Sequence, residues 1–254
     1  MVSSATLSRT LAFTLALTGL AAFVFSLFPG LDLAFSRIFH DPEDGFWLSR
    51  VAFMELLRRG FWNAMDLAGV FAIVLLVIEL IRPRWSPIRP RAALFALSCF
   101  ALDSGLLVDR LLKEHWGRAR PRDITFFDGD LIFTPALTMS DQCQSNCSFV
   151  SGEASGIVTL CMLFLLLVVP CLKKSSRRPA IRLAVSLTAL AALLRIAVGA
   201  HFLSDVIFAA LFAVLISVSL YRVFGLHRVG VLRERTAGAP LPVTFRPGRR
   251  AKWD

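Results

Sequence analysis

The sequence predicts an all-α, polytopic membrane protein built as a six-transmembrane-helix bundle. Three observations carry that prediction. Of the 254 residues, 56% are hydrophobic and the mean hydropathy is +0.66, more apolar than an average soluble domain. The apolar residues are gathered into long blocks without an amphipathic period. The basic residues behind the formal net charge of +10 cluster in the short connections between those blocks.

The first block, roughly 9–28, stays apolar to Phe28 with no small-residue cleavage pattern, so it reads as an anchor and not as a removable signal. Phe46, Trp47, Phe53, Phe61 and Trp62 then surround Arg50, Arg58 and Arg59 in what looks like an interfacial helix. The second span is expected at roughly 64–81 and the third at 92–111. The remaining three are expected at roughly 154–171, 181–199 and 202–224. Each is near the ~20 residues that cross a bilayer as a helix. Arginines and lysines follow the second, fourth and sixth spans, which puts these regions and both termini in the cytoplasm by the positive-inside rule. Residues 1–224 form the membrane domain, and 225–254, rich in Arg and Pro, are expected to be a disordered, lipid-facing cytoplasmic tail. There is no tandem repeat.

Nucleic acid is excluded as a partner, because no basic stripe interleaves with aromatics on a soluble surface; the charge serves topology and attraction to anionic lipid. Cys99, Cys161 and Cys171 lie in apolar blocks as small core residues. Cys143 and Cys147 flank a polar loop with no histidine at zinc-ligand spacing, so a disulfide on the oxidising side is expected and a metal site is not.

Three polar stretches stand at the ends of apolar blocks, all on the outer side in this topology. Lys113, Arg118, Arg120 and Arg122 alternate through the first. Such a run is commonly a basic flanking loop, but these cations lie where the positive-inside rule disfavours them, and binding a phosphate is a reason for them to be there. Ser151-Gly152-Glu153 opens the fourth span. It reads either as an ordinary N-cap or as a helix N-terminus offering N–H donors to an anion. Arg195 ends the fifth span, followed by His201 and Asp205 four residues apart. On one helix face, Asp205 would accept from one ring nitrogen and leave the other as a nucleophile. The competing reading is a buried polar pair that satisfies itself.

Jointly these stretches resemble the type 2 phosphatidic acid phosphatase superfamily, which also includes bacterial acid phosphatases and vanadium haloperoxidases. Its signature runs Lys-x6-Arg-Pro, Pro-Ser-Gly-His, Ser-Arg-x5-His-x3-Asp. Lys113, Arg120 and Pro121 match the first part; Arg195, His201 and Asp205 match the third, with Leu194 in place of Ser. The middle part departs from it: Val150 replaces Pro, and Glu153 replaces a His that in the family contacts phosphate and assists the leaving group. The segments at 31–39, 113–122 and 147–153 look like the bacterial lipid A phosphatase branch, with the 4′ position favoured.

The resemblance implies a metal-independent phosphatase, without cofactor, acting on a membrane phospholipid or glycolipid. Lys113, Arg120 and Arg195, with backbone donors near Ser151 and Gly152, would hold the phosphate. His201 would attack phosphorus, Asp205 would orient the ring, and Glu153 would protonate the leaving oxygen. The alternatives are an isoprenoid diphosphate or phosphatidylglycerol phosphate phosphatase, which would share the site, and a non-catalytic lipid-phosphate binder.

Overall fold

The apolar blocks fold as helices because a backbone in hydrocarbon must satisfy its own N–H and C=O groups. The computed structural model describes residues 3–81 and 89–229. The tail at 230–254 and the basic connection at 82–88 lie outside the described residues. In chain order the helices are α1 (Ser4–Leu27), α2 (Gly30–Arg37), α3 (Ala52–Ile81), α4 (Pro90–His115), α5 (Gly152–Cys171), α6 (Lys174–Ala197), α7 (Leu203–Val223) and the short α8 (Leu226–Val229). Six of them, all but α2 and α8, are long and apolar enough to cross a membrane. No strand occurs among the described residues.

Two boundaries differ from expectation. The interfacial helix and the second span are one continuous 30-residue helix, α3. At 1.5 Å per residue it is about 45 Å long, more than the hydrocarbon thickness, so its first turns extend past the bilayer core. Those turns carry Glu55, Arg58 and Arg59. The fifth span, α6, starts seven residues earlier than expected, its first turns being basic. There Arg177 bonds the carbonyls of Pro170 and Leu172 at 2.8 and 3.1 Å, closing the end of α5.

Helices α5 and α7 are the most buried spans and pack along each other at the centre. α1 lies along α7, α3 along α4, and α6 along α5. One apolar cluster at the end of the bundle away from the polar stretches gathers Leu7, Phe95, Cys99, Leu163 and Tyr221. A second, nearer the polar stretches, gathers Phe25, Val108, Phe149, Ile196 and Phe208. Between them α4 winds in π fashion over Ala101–Leu112. There Asp103, fully buried, accepts from Ser155 and Thr159 of α5 at 2.5 and 2.6 Å, a polar tie between two spans.

The loops at 28–51, 116–151 and 198–202 meet at one end of the bundle. Arg118 fastens them. Its guanidinium is wholly buried and reaches Asp32 of α2 at 2.7 Å, Asp205 of α7 at 2.5 Å, the Ser204 hydroxyl at 2.9 Å and the Thr134 carbonyl at 2.9 Å. It also stacks over Phe202, 4.3 Å from the ring centroid. Asp32 in turn accepts from the Ser204 backbone and hydroxyl at 2.8 and 2.6 Å. Arg118 is therefore not one of a row of phosphate-facing cations: both its faces and its donors are taken inside the protein. The backbone of 116–118 is also laced to 140–148 by bonds from Ser140 to Trp116, Cys143 to Gly117 and Ser148 to Arg118, each 2.9 Å. Gly117 has φ +69°, and a side chain there would collide with the Ser140 carbonyl.

Removing Arg118 leaves two carboxylates buried without a counter-charge. Breaking a buried ion pair typically costs about 3–5 kcal/mol. Arg118→Met should therefore lower the thermal unfolding midpoint in detergent much more than Arg122→Met, whose exposed guanidinium faces Asp123 at 3.8 Å.

Candidate active site

The Arg195–His201 spacing follows from how α6 ends. The amides of Ala200 and His201 both bond back to the Arg195 carbonyl, at 3.1 and 3.2 Å, and Gly199 takes φ +67° between them. A left-handed glycine after a helix C-terminus closes it in this way. A side chain at Gly199 would strike the Phe46 ring. The turn places His201 beside Arg195, just ahead of α7 and not on it. His201 and Asp205 consequently do not share a helix face, contrary to the spacing argument.

His201 is buried, and its Nδ1 lies 2.8 Å from the Ser148 carbonyl oxygen. A carbonyl only accepts, so Nδ1 carries the proton and Nε2 keeps the lone pair. The expected direct bond from Asp205 is absent: its Oδ2 is 3.9 Å from Nδ1. Asp205 sits in the first turn of α7 and is taken up by the Phe202 amide at 2.9 Å, Arg118, and the Ser148 hydroxyl at 2.5 Å. It orients the imidazole through Ser148, whose hydroxyl it holds and whose carbonyl holds the ring. Asp205 is thus a positioning residue, and Ser148 and Asp32 join it as residues the sequence reading did not single out.

His201 opens onto a cavity of about 580 Å³ that Lys113, Arg120, Arg195 and Glu153 also line. A cavity of this size fits the head of a small ligand. Lys113 lies 3.3 Å from Asp109, one turn back on α4. Arg120 donates to the Asn146 carbonyl at 2.7 Å. Arg195 is nearly buried, and its Nε has no hydrogen-bond partner among the described residues. Lys113, Arg120 and Arg195, with Arg58, Arg59 and Arg122, thus share one cavity with the imidazole. Burial, reinforced by Arg195, Arg120 and Lys113, holds the His201 pKa well below its ordinary 6.5, against a smaller opposing effect of the Ser148 bond. Burial also lowers the Arg120 pKa from its ordinary value.

Ser151 and Gly152 do not line this cavity. The Ser151 hydroxyl caps α5 by accepting from the Ala154 amide at 3.3 Å, the ordinary N-cap reading. Gly152 makes room for Lys113: a Cβ there would lie 2.8 Å from the ammonium nitrogen. The Ser151 amide bonds the Asp205 carbonyl at 3.3 Å, so that backbone donor is directed into the protein.

Glu153 is also placed differently from expectation. A leaving-group acid must face the leaving oxygen and avoid the cations. Instead Oε1 accepts from Arg58 at 3.2 Å, and Oε2 lies 3.3 Å from Arg195 Nη1. Both oxygens are engaged by guanidinium groups, so Glu153 is arranged as an acceptor and not as a proton donor. Arg58, on α3, lines the same cavity. Its only signal in the sequence was a group of arginines on the side where the positive-inside rule does not favour them.

Cys143 and Cys147 are bonded as a disulfide, with Cα atoms 5.6 Å apart. The loop they close carries Asn146, whose carbonyl holds Arg120 and whose φ is +49°, a region Asn tolerates better than most residues. Among the described residues no group of three His, Cys, Asp or Glu side chains could hold a metal ion.

A buried imidazole with one free ring nitrogen thus faces a group of cations at the end of six helices long and apolar enough to cross a membrane. The comparisons with known proteins identify the family. The PAP2 superfamily profile matches residues 92–228, which contain Lys113, Arg120, Glu153, Arg195, His201 and Asp205; the chain belongs to the PAP2 superfamily. It is 36% identical over 201 residues to a lipid A 4′-phosphatase of Rhizobium leguminosarum, covering 72% of this chain and 83% of that one. It is 36% identical over 200 residues to one from Rhizobium etli, covering 72% and 75%. A lipid A 4′-phosphatase of Francisella tularensis subsp. novicida is 32% identical over 196 residues, covering 74% and 83%. No solved structure matches the chain.

Two expectations follow. The depressed His201 pKa keeps Nε2 unprotonated as pH falls through 6.5, so the acid limb of kcat/KM should lie below that value. Lys113→Gln removes a charge that depresses it and should move the limb upward in pH, which a pH–rate profile on a soluble aryl phosphate will show. Separately, mass spectrometry of non-reduced protein should find Cys143 and Cys147 resistant to alkylation; two freely alkylated thiols would refute the bridge.

Proposed function

We propose that the protein is a lipid A phosphatase of a bacterial inner membrane, removing the 4′-phosphate through a phosphohistidine intermediate on the periplasmic side. The observation that carries the chemistry is the Nδ1–H bond from His201 to the Ser148 carbonyl, which leaves Nε2 facing the cations of the cavity. The relatives' substrate and the favoured 4′ position support the choice of lipid. The basic connections after α3, α5 and α7 support a periplasmic site with both termini in the cytoplasm.

In the first step Nε2 attacks phosphorus. The N–P bond forms, the bond from phosphorus to the sugar oxygen breaks, and the electron pair leaves on that oxygen. Lys113, Arg120 and Arg195 stabilise the charge spreading over the phosphoryl oxygens. As the imidazole becomes cationic, Nδ1–H stays bonded to Ser148, and Asp205 supplies negative charge 3.9 Å away. In the second step water attacks phosphorus, the N–P bond breaks and neutral His201 returns. The leaving oxygen takes its proton from water, because Glu153 faces the arginines. The residues themselves provide the nucleophile and the counter-charge, so no metal enters the reaction.

The purified protein in detergent with EDTA should release inorganic phosphate from lipid A faster than from undecaprenyl diphosphate or phosphatidylglycerol phosphate. Mass spectra of the product should place the loss at 4′. A preference for either other lipid would reassign the substrate. His201→Ala should fall below about 10% of wild-type turnover while keeping a cooperative unfolding transition, since losing a nucleophile costs orders of magnitude. Greater residual activity would remove His201 from that role.

A further inference from the structure

We propose that Arg58 and Arg195 form a phosphate clamp which Glu153 occupies as an internal competitor of the substrate. This deepens the phosphatase reading and rests on it.

The geometry of Arg58 is the starting point. Its Nε and Nη2 are held by the two oxygens of Glu55, three residues earlier on α3, at 2.6 and 2.8 Å. That bidentate grip fixes the guanidinium plane from within one helix. The remaining nitrogen, Nη1, points across to α5 and meets Glu153 Oε1 at 3.2 Å. From the opposite side Arg195 Nη1, on α6, approaches Glu153 Oε2 at 3.3 Å. One carboxylate therefore bridges two guanidinium groups carried by different helices, inside the cavity that His201 faces.

A carboxylate and one edge of a phosphate present two anionic oxygens at nearly the same spacing, and guanidinium groups bind both. The site for one is a site for the other. Two further observations favour exchange over a permanent structural bridge. Arg195 keeps a buried Nε without a partner among the described residues, a donor that a tetrahedral anion in the cavity can use. The Arg58 and Glu153 side chains remain 35% and 20% exposed, so their ion pair is partly hydrated and can be broken without leaving a fully buried charge.

The consequence concerns both ends of the reaction. The cations at the cavity would hold inorganic phosphate, the product, as firmly as the substrate's phosphate. A carboxylate that returns to the clamp after turnover lowers the affinity for both and speeds product release. In kinetic terms Glu153 raises KM and raises kcat together. Arg58, outside the three polar stretches of the sequence, becomes a fourth phosphate-binding cation.

The test measures binding of inorganic phosphate and inhibition by orthovanadate for wild type, Glu153→Gln, Arg58→Gln and Arg58→Lys, beside KM and kcat on the lipid substrate. Glu153→Gln keeps the shape and removes the charge. It should bind phosphate about tenfold tighter or more, with both KM and kcat reduced, as befits loss of a competing charge-assisted contact. Arg58→Gln should bind phosphate about tenfold more weakly, and Arg58→Lys should recover part of that loss. Unchanged or weaker phosphate binding in Glu153→Gln overturns the competitor role and makes Glu153 a positioning group for the arginines. Wild-type phosphate affinity in Arg58→Gln overturns the clamp. Normal lipid turnover with neither shift sinks this inference alone. Both shifts with no hydrolysis of any lipid phosphate sink the catalytic reading and leave the clamp standing.

Discussion

The buried guanidinium of Arg118 between Asp32 and Asp205 is the interaction on which the rest of the site depends. It joins α2, the loop after α4 and the start of α7, which also share an apolar cluster around Phe127 and Phe202. A buried cation with two carboxylates, a hydroxyl and a carbonyl around it is tolerable only when every donor is met. That demand fixes Asp205, Asp205 fixes the Ser148 hydroxyl, and the Ser148 carbonyl fixes the His201 imidazole. Orientation of the ring is therefore inherited from a charge cluster one layer behind it.

The electrostatic design separates two tasks. The rear layer sets one guanidinium between two carboxylates and is closed to water, with Arg118, Asp32 and Asp205 wholly buried. The front layer carries an excess of cations toward the cavity, and these reinforce burial in depressing the His201 pKa. Had the orienting carboxylate bonded His201 directly, it would have raised that pKa and opposed the same cations. The interposed serine lets Asp205 position the ring with a weaker charge effect.

Helix α3 gives the site its individual character. The superfamily profile begins at residue 92, after α3 ends, yet Arg58 and Glu55 of that helix complete one wall of the cavity. The middle stretch, where Glu153 stands in place of histidine, is where α3 makes its charged contact. The departure from the family pattern and the extra arginine are thus two sides of one ion pair.

Much of this protein was determined by sequence alone. Six apolar blocks near the ~20 residues a spanning helix needs fold as helices, because unpaired backbone groups are too costly in a bilayer and a barrel strand would be about half as long. The spacings Lys113–Arg120 and Arg195–His201 each span a single helix end whose geometry is local, and these four residues line one cavity. What only the tertiary structure decided was which group faces which. Arg118 and Arg120 are two residues apart in one basic run, yet one is sealed behind the site and the other lines it. Glu153 lies on a helix end that suits either an acid or an acceptor, and Arg58, 95 residues away in sequence, determines which. Ser148 stands between Asp205 and His201, a place that nothing in its neighbourhood along the chain marks. These assignments depend on charges and donors brought close from distant segments. Local periodicity and spacing carry no record of them, because the energy that selects them exists only once the helices are packed.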